Sequence, residues 1–115
     1  MGNSIVHFEI FGDDYKGLGE FYASQFGWQL QPAGEGYDLI TTADGSIGGG
    51  IGTPYEGRER QVIVYVQVPS IDKALASIEA AGGKTILPKT EIPEMVIYAQ
   101  FADPAGNVVG LVEGE

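Results

Sequence analysis

The feature that most constrains the fold is an order of hydrophobic patterns that occurs twice along the chain. In each half, an alternating apolar segment is followed by apolar residues at three- and four-residue spacing, and then by three more short apolar segments. Alternation is typical of a strand, and the wider spacing is typical of one face of a helix. A shift of roughly 56 residues superimposes the two halves by pattern, although few residues are identical. The chain therefore predicts two β-α-β-β-β units in tandem.

The boundaries of these elements follow from glycine, proline and aspartate clusters between the apolar segments. In the first half we predict strands over 5–11, 28–30, 37–40 and 47–51, and a helix over 14–26. In the second half we predict strands over 62–68, 84–87, 95–101 and 107–112, and a helix over 71–81. Gly27 and Gly83 suit left-handed helix ends, because glycine adopts positive φ without strain.

Length and apolar content predict one α+β domain over residues 1–115. The chain has 115 residues, of which 43% are hydrophobic, and this is enough for one core. We expect a first unit over about 4–53, a link over 54–60 and a second unit over about 61–115. Each unit would pack its helix on one face of a four-stranded sheet and leave the other face open. Two open faces could then form a cleft.

The charge balance narrows the choice of partners. Sixteen acidic and six basic side chains give a formal net charge of −10, which disfavours nucleic acid and anionic membranes and favours cationic partners. There are no cysteines, so disulfides, thiolate metal sites and cysteine nucleophiles are excluded. Apolar runs fall short of the roughly 20 residues of a membrane helix, and the first residues do not resemble a secretion signal. We expect a soluble, cytoplasmic protein.

Three segments in this order and spacing resemble the vicinal-oxygen-chelate superfamily, which includes glyoxalase I, bleomycin-resistance proteins and extradiol dioxygenases. They are 21–28 at the end of the first helix, 71–83 over the second helix, and Phe101-Ala102-Asp103-Pro104-Ala105-Gly106-Asn107. The last segment, a turn before the final strand, is the most specific. The resemblance implies a curved mixed sheet, made of two tandem βαβββ units, that bears a cleft.

The resemblance also implies where a metal ion would bind. In metal-dependent members of the superfamily, four His or Glu side chains hold a divalent ion, two from each unit. His7 matches the first of these positions, whereas Ile63, Gly110 and, in the first unit, Gly50 occupy the others. One imidazole holds a divalent ion weakly and without selectivity. We therefore predict no metal cofactor, and His7 is the only candidate ligand.

Strand alternation predicts which side chains face the cleft. On the first strand, Val6, Phe8 and Ile10 form the apolar set that packs on the helix, which leaves His7 and Glu9 on the open face. His7 and Glu9 are the candidate catalytic residues, because a carboxylate can orient an imidazole for general-base work. The alternative is that His7 is a remnant or a hydrogen-bonded cleft residue that takes part in no reaction. In the second unit, the same alternation assigns Ile63, Tyr65 and Gln67 to the cleft and Val64, Val66 and Val68 to the core.

The candidate ligand-binding residues combine this open face with aromatic side chains. They are His7, Glu9, Tyr65, Gln67, Gly50, Gly110, Trp28 and Tyr98. For the aromatic residues, the alternative is that they are ordinary half-buried strand residues. Aromatic rings beside carboxylates suit a cationic or planar ligand. Gly48-Gly49-Gly50 lacks the Lys-Ser/Thr of a phosphate loop, and its absent side chains would instead leave room for a ligand or for close approach of a chain.

Three functions remain open at this stage. The first is a binding protein of the bleomycin-resistance type, which holds a small cationic or aromatic molecule without changing it. The second is a lyase, isomerase or dioxygenase of the same superfamily with an irregular metal site at His7. The third is a subunit that only assembles with other chains, whose mark would be a cleft filled by its own side chains. We also expect a homodimer, because exposed strand edges need cover.

Overall fold

The computed structural model describes residues 2–55 and 58–114, so the predicted link over 54–60 is only partly within the described residues. The described residues form eight strands and two helices in the predicted order, β-α-β-β-β twice. The elements are β1 (Ile5–Phe11), α1 (Tyr15–Phe26), β2 (Gln29–Pro32), β3 (Tyr37–Thr41), β4 (Gly48–Gly52), β5 (Val62–Val68), α2 (Ile71–Ala80), β6 (Lys84–Ile92), β7 (Val96–Ala102) and β8 (Val108–Glu113). The predicted α+β class is confirmed.

The residues group into two compact units. The amino-terminal unit spans His7–Ile63, and the carboxy-terminal unit contains the residues from Val64 onwards together with those up to Val6. The first few residues belong with the second unit because the Gln67 amide donates to the Ser4 carbonyl over 2.9 Å. Likewise, the Phe11 amide donates to the Gln61 carbonyl over 3.0 Å, which keeps the end of the link with the first unit.

Both units have the same strand order and the same mixture of pairings. In the amino-terminal unit the order is β2-β3-β4-β1, and in the carboxy-terminal unit it is β6-β7-β8-β5. The first strand of each unit pairs in parallel with the last, β1 with β4 and β5 with β8, and the other pairings are antiparallel. A parallel pair needs a crossover connection, which the helix supplies in each unit.

Helix α1 begins and ends where the sequence predicts. The Asp14 carboxylate accepts a hydrogen bond from the Gly17 amide at 3.1 Å, which satisfies one of the unpaired donors of the first turn. The helix ends at Gly27, whose φ of 72° is left-handed. The prediction for Gly27 is confirmed, and the helix begins one residue after the predicted start, with residue 14 as its cap.

Helix α2 is capped by residues from two elements. The Ser70 hydroxyl accepts from the Lys73 amide at 3.2 Å, and Glu113 of β8 accepts from the Ile71 amide at 2.8 Å. The prediction for Gly83 is wrong, because the positive φ of 104° belongs to Gly82. At Gly83, a Cβ would lie 3.0 Å from the Ala102 carbonyl, so close packing is what favours glycine there. Neither described helix is long and apolar enough to span a membrane.

Each unit has a hydrophobic core between its sheet and its helix. The amino-terminal core contains Ile10, Ile40 and Ile51, with partly buried Phe8, Leu18, Tyr22, Trp28 and Leu30 packed against it. The carboxy-terminal core contains Ile71, Ala99 and Leu111, with Val66, Val68, Ala74, Leu75, Ile78, Ile97 and Phe101 packed against it. Four of the residues predicted to face the helices are in these cores, namely Phe8 and Ile10 of β1 and Val66 and Val68 of β5, whereas Val6 and Val64 are not among the core residues. Val64 is 37% exposed, because the core on α2 reaches only Val66 and Val68 of β5.

The outer strand of each unit contains a proline. Strand β2 ends at Pro32, and β6 runs through Pro88 with two register shifts in its pairing with β7. Proline lacks the amide that a further strand would need, so it protects a sheet edge from pairing with another chain. The predicted strand ends at residue 87, before Pro88, whereas the observed β6 continues to Ile92.

Candidate functional site

The two candidate catalytic residues lie on the sheet face of the amino-terminal unit that is opposite α1. Phe8 and Ile10 pack in the core on the helix side, so His7 and Glu9 lie on the other face. In the parallel pairing of β1 with β4, His7 is opposite Gly48 and Glu9 is opposite Gly50. The two candidate residues thus stand beside a strand segment that has no side chains.

Tyr37 of β3 connects these two residues. Its hydroxyl donates to Glu9 Oε2 over 2.9 Å, and its oxygen lies 3.3 Å from His7 Nε2. Because the single phenol proton is directed at Glu9, the contact between His7 and Tyr37 is a hydrogen bond in the tautomer whose Nε2 carries the hydrogen. We call His7, Tyr37 and Glu9 the polar trio. It can donate and accept hydrogen bonds and can move a proton between neighbouring groups.

Burial lowers the pKa of His7 below its ordinary value of 6.5, because desolvation disfavours the imidazolium. His7 is therefore mainly neutral near pH 7. A neutral imidazole can act as a hydrogen-bond partner or a base, and it does not add positive charge beside Glu9.

The glycines of β4 do not leave open space, because the unit's own side chains fill it. A Cβ at Gly50 would overlap the Tyr37 hydroxyl and ring, and one at Gly49 would lie 2.6 Å from the Phe8 ring. The space is therefore filled by neither a ligand nor another chain, but by the Tyr37 and Phe8 side chains of the same unit. Gly50, predicted to bind ligand, lies under Tyr37 within the unit.

The equivalent position of the carboxy-terminal unit is also a glycine, and it is covered differently. Gly110 of β8 is opposite Tyr65 of β5 and Gln100 of β7. A Cβ at Gly110 would overlap the Tyr65 ring, whose hydroxyl accepts a hydrogen bond from Gln100 Nε2 at 2.7 Å. Tyr65 is 2% exposed and Gln100 is fully buried. We call these two side chains the tyrosine–glutamine pair.

The residues at the four positions that the resemblance assigns to metal ligands do not fit a metal ion. Only His7 has a donor side chain, and Ile63 is fully buried. The other two are Gly50 and Gly110, where a larger side chain would overlap a tyrosine. Within residues 2–55 and 58–114, no group of three or more His, Cys, Asp or Glu side chains could hold a metal ion. A catalytic zinc site, for comparison, has three protein ligands.

The other candidate residues lie in different surroundings. Trp28 stacks on Tyr22 with ring centroids 5.5 Å apart and packs against the helix-side core, away from the polar trio. Tyr98 lies beside Tyr65, with centroids 6.4 Å apart. Gln67 hydrogen-bonds through its backbone to Ser4 and to the Asn3 side chain. Within the amino-terminal unit, the structure therefore brings His7 and Glu9 together and leaves Trp28 apart.

Sequence reasoning missed two buried polar side chains. Gln100 alternates with Ala99 and Phe101 of the core, so the alternation used for β1 would have assigned it to the opposite face. Asp38, on the helix side of β3, is 3% exposed, and both of its carboxylate oxygens lie 3.3 Å from Lys16 Nζ. No pattern in the sequence indicates this ion pair, because its partners are 22 positions apart.

A shallow open groove of about 350 Å³ lies on the helix side of the amino-terminal unit. Its lining includes Ile10, Phe11, Leu18, Tyr22, Arg60 and Val62. Ile10, Leu18 and Tyr22 belong to the helix-side core, and the lining contains no residue of the polar trio. The groove is therefore separate from the polar trio.

The fold and the sequence together define the class of this protein. The family model of the Glyoxalase/Bleomycin resistance protein/Dioxygenase superfamily matches residues 4–111. The chain belongs to this superfamily, as the resemblance predicts. Relatives named "Putative glyoxylase CFP32", from Mycobacterium bovis and Mycobacterium tuberculosis, are 28% identical over an alignment of 107 residues that covers 85% of this chain. The chain spans about two fifths, 41%, of the length of these curated relatives.

Solved structures show the same fold at low identity. The hypothetical protein BH1468 from Bacillus halodurans has a TM-score of 0.72 at 14% identity, covering 100% of this chain and 96% of its own. Methylmalonyl-CoA epimerase from Mycobacterium tuberculosis has a TM-score of 0.70 at 15% identity, and the match covers 96% of this chain and 87% of the epimerase chain. The Mn(II)-bound glyoxalase from Novosphingobium aromaticivorans has 0.65 at 18%, covering 96% of this chain and 38% of its own.

Proposed function

We propose that this chain is a small-molecule-binding member of the superfamily that holds a cationic or aromatic ligand without a metal ion. The ligand would contact the amino-terminal unit on the sheet face that carries the polar trio. The observation that supports this most is the Tyr37 hydroxyl, which is hydrogen-bonded to Glu9 and within reach of His7 beside the glycine strand β4. Three different polar groups on one face can orient a small ligand.

The charge of the trio and of the chain supports the cationic class of ligand. Burial favours the neutral form of His7, so the formal charge that the trio contributes is the Glu9 carboxylate. The whole chain has a formal net charge of −10, which attracts cations over a longer range. The Tyr37 ring adds a face for a planar or cationic group. An amine or amidine on an aromatic ring would combine these features.

The relatives support a small organic ligand, although not its identity. Structures of the same fold include an epimerase of methylmalonyl-CoA and a glyoxalase. The second is Mn(II)-bound, and this chain has a donor side chain at only one of the four positions that the resemblance assigns to the metal. The alternative of an enzyme with an irregular metal site at His7 therefore has less support than metal-free binding.

A thermal-shift and calorimetric screen tests the proposal. Protein dialysed against chelator would be tested with cationic glycopeptides, benzamidine, its neutral isostere benzamide and planar aromatic molecules. A ligand at about 100 times its Kd stabilises a protein by about 2.7 kcal/mol, which is a shift of several degrees in a chain of this size. We expect at least one cationic compound to raise the melting temperature and benzamide to have no effect.

Variants locate the binding. Glu9→Gln removes the carboxylate charge of the trio, and Glu20→Gln removes the same charge from an exposed position of α1. We expect the ligand-induced shift to disappear in Glu9→Gln and to persist in Glu20→Gln. If no compound raises the melting temperature, or if both variants respond like the original chain, the proposal is wrong.

A subunit that only assembles is the second candidate, and one observation favours it. Tyr37 and Tyr65 fill the space over Gly50 and Gly110, which is the self-filled arrangement expected of such a subunit. Phe21 and Phe26 of α1, which are 55% and 61% exposed, support the homodimer as a proposal. Sedimentation of the original chain and of Phe26→Ser tests it. A monomer mass at micromolar concentration for the original chain would contradict a dimer.

A further inference from the structure

We propose that Tyr37 and Tyr65 exclude the superfamily's metal ion by volume, because each side chain occupies the space that a ligand on β4 or β8 would need. The inference rests on the proposed metal-free function and explains how the chain maintains it. Loss of ligands alone would predict that a single substitution restores a carboxylate. Exclusion by volume predicts that a second substitution, of a tyrosine, is also required.

In the amino-terminal unit, the obstacle to a side chain at position 50 comes from β3. Tyr37 and Gly50 are on antiparallel neighbours, and Gly50 is opposite Leu39, two residues beyond Tyr37. A Cβ at Gly50 would overlap both the hydroxyl and the ring of Tyr37. The hydroxyl is held there by its bond to Glu9, so the ring cannot turn away without losing that bond.

In the carboxy-terminal unit, the same obstacle comes from a different strand. Gly110 is overlapped by Tyr65 of β5, which is the first strand of its unit, whereas Tyr37 lies on the third strand of the other. The registers make Tyr65 the counterpart of Glu9, since both are opposite the glycine on the last strand. Two unrelated side chains thus fill equivalent spaces. Because a tyrosine fills this space in both units, we infer that filling the space beside the glycine of the last strand is a shared property of the two units.

The proposal makes a specific claim about position 50. If the Tyr37 ring is removed, a carboxylate introduced at position 50 has room on the face that carries His7 and Glu9. His7, Glu9 and the new carboxylate would give three donors, the number that a catalytic zinc site takes from protein. With Tyr37 present, the same carboxylate has no room.

Titration of chelator-treated protein with Ni²⁺ and Mn²⁺ tests this, using the original chain, Gly50→Glu, and Tyr37→Ala with Gly50→Glu. We expect no stoichiometric binding by the original chain. The double variant should bind one equivalent with a Kd at least about tenfold tighter than Gly50→Glu does. Adding His7→Gln to the double variant should abolish the gain, because it removes one of the three donors.

Two results would overturn the proposal. One is stoichiometric, tight binding by the original chain, which would also remove the metal-free function. The other is a double variant that binds no better than Gly50→Glu, which would leave the ligand screen and the metal-free function intact. The failures of the two proposals are therefore distinguishable.

Smaller substitutions keep the test decisive if Gly50→Glu does not fold. The pairs Gly50→Ala with Tyr37→Ala and Gly110→Ala with Tyr65→Ala form two thermal double-mutant cycles. If volume is the obstacle, each alanine for glycine should lower the melting temperature by about 10 °C alone and by only about 3 °C when its tyrosine is absent. Additive shifts in both cycles would contradict the proposal.

Discussion

The two units have the same strand order, and in each a glycine of the last strand is opposite a residue of the first strand, yet the side chains beside that glycine differ. Beside Gly50, the amino-terminal unit has a carboxylate, a phenol and an imidazole in one hydrogen-bonded group. Beside Gly110, the carboxy-terminal unit has a neutral pair, Tyr65 and Gln100, that is almost fully buried. The backbone repeat therefore determines where polar groups stand, and the individual side chains determine what each unit can do.

The hydrogen bonds of the two units also have different expected effects, one mainly on stability and the other mainly on binding. The tyrosine–glutamine pair joins two neutral groups and fills its space completely, so its main effect is on stability. The polar trio contains titratable groups with less complete burial, so it can respond to pH and to a ligand. We expect substitutions in the carboxy-terminal pair to affect folding most, and those in the trio to affect binding most.

The largest expected effect comes from truncating the two tyrosines. Tyr65→Ala should lower the free energy of unfolding by about 4 kcal/mol, because it creates a cavity and removes a buried hydrogen bond from Gln100 to the Tyr65 hydroxyl. Tyr37→Ala should cost about 2 kcal/mol, since Tyr37 is only half-buried. Urea unfolding of both variants measures the difference. Equal losses would remove the distinction between a structural pair and a functional trio.

The ion pairs of the two units give the next effect. Lys16 is 59% exposed but pairs with Asp38, whose side chain is 4% exposed, whereas Lys89 pairs with Asp72, which is 74% exposed. Lys16→Met leaves a buried carboxylate without its cation and should cost about 2 kcal/mol. Lys89→Met should cost less than about 0.5 kcal/mol. The denaturant midpoint of each variant measures its loss of stability, provided that the slope of the unfolding free energy against denaturant is unchanged. A larger loss in Lys89→Met than in Lys16→Met would contradict the assignment of the Lys16–Asp38 pair as the stronger one.

The pH dependence should sharpen the contrast between His7 and its counterpart Ile63. Burial lowers the pKa of folded His7 below 6.5, so the unfolded chain binds a proton more readily. Stability should therefore be complete above pH 6.5 and fall as the pH drops through 6.5 toward the folded pKa. His7→Gln should flatten this change, and Ile63→Val should retain it. Unfolding curves at several pH values down to 5.5 test this before the carboxylates titrate.

The smallest expected effect concerns the turn between the second and third strands of each unit. The amino-terminal turn uses Gly34 and Gly36 at positive φ, whereas the carboxy-terminal turn has Glu94 at a φ of 63° after Pro93. Met95 donates to the Ile92 carbonyl at 3.0 Å, and the third residue of such a turn favours glycine. Glu94→Gly should stabilise by about 0.5 kcal/mol and Gly36→Ala should destabilise by about 1 kcal/mol. Thermal unfolding measures both.

Most of the fold could be predicted because its signals are local. The helix of each unit and the order of its strands follow from apolar spacing and from turn residues, and the alternation on β1 correctly separated His7 and Glu9 from Phe8 and Ile10. The errors came from longer-range effects. Trp28 is a candidate for the ligand face because it is aromatic, but it packs on α1 through Tyr22. The end of β6 was missed because Pro88 is tolerated only on an outer strand.

The sequence by itself determined the repeated order of elements, the acidic balance and the lack of donor side chains at Gly50, Ile63 and Gly110, since each is a property of residue type and spacing. Only the tertiary structure decided that Tyr37 covers Gly50 and that Tyr65 covers Gly110. The physical reason is that lateral neighbours in a sheet are set by the register between strands far apart in the chain. Which side chain fills a glycine's space is therefore decided when the strands pair.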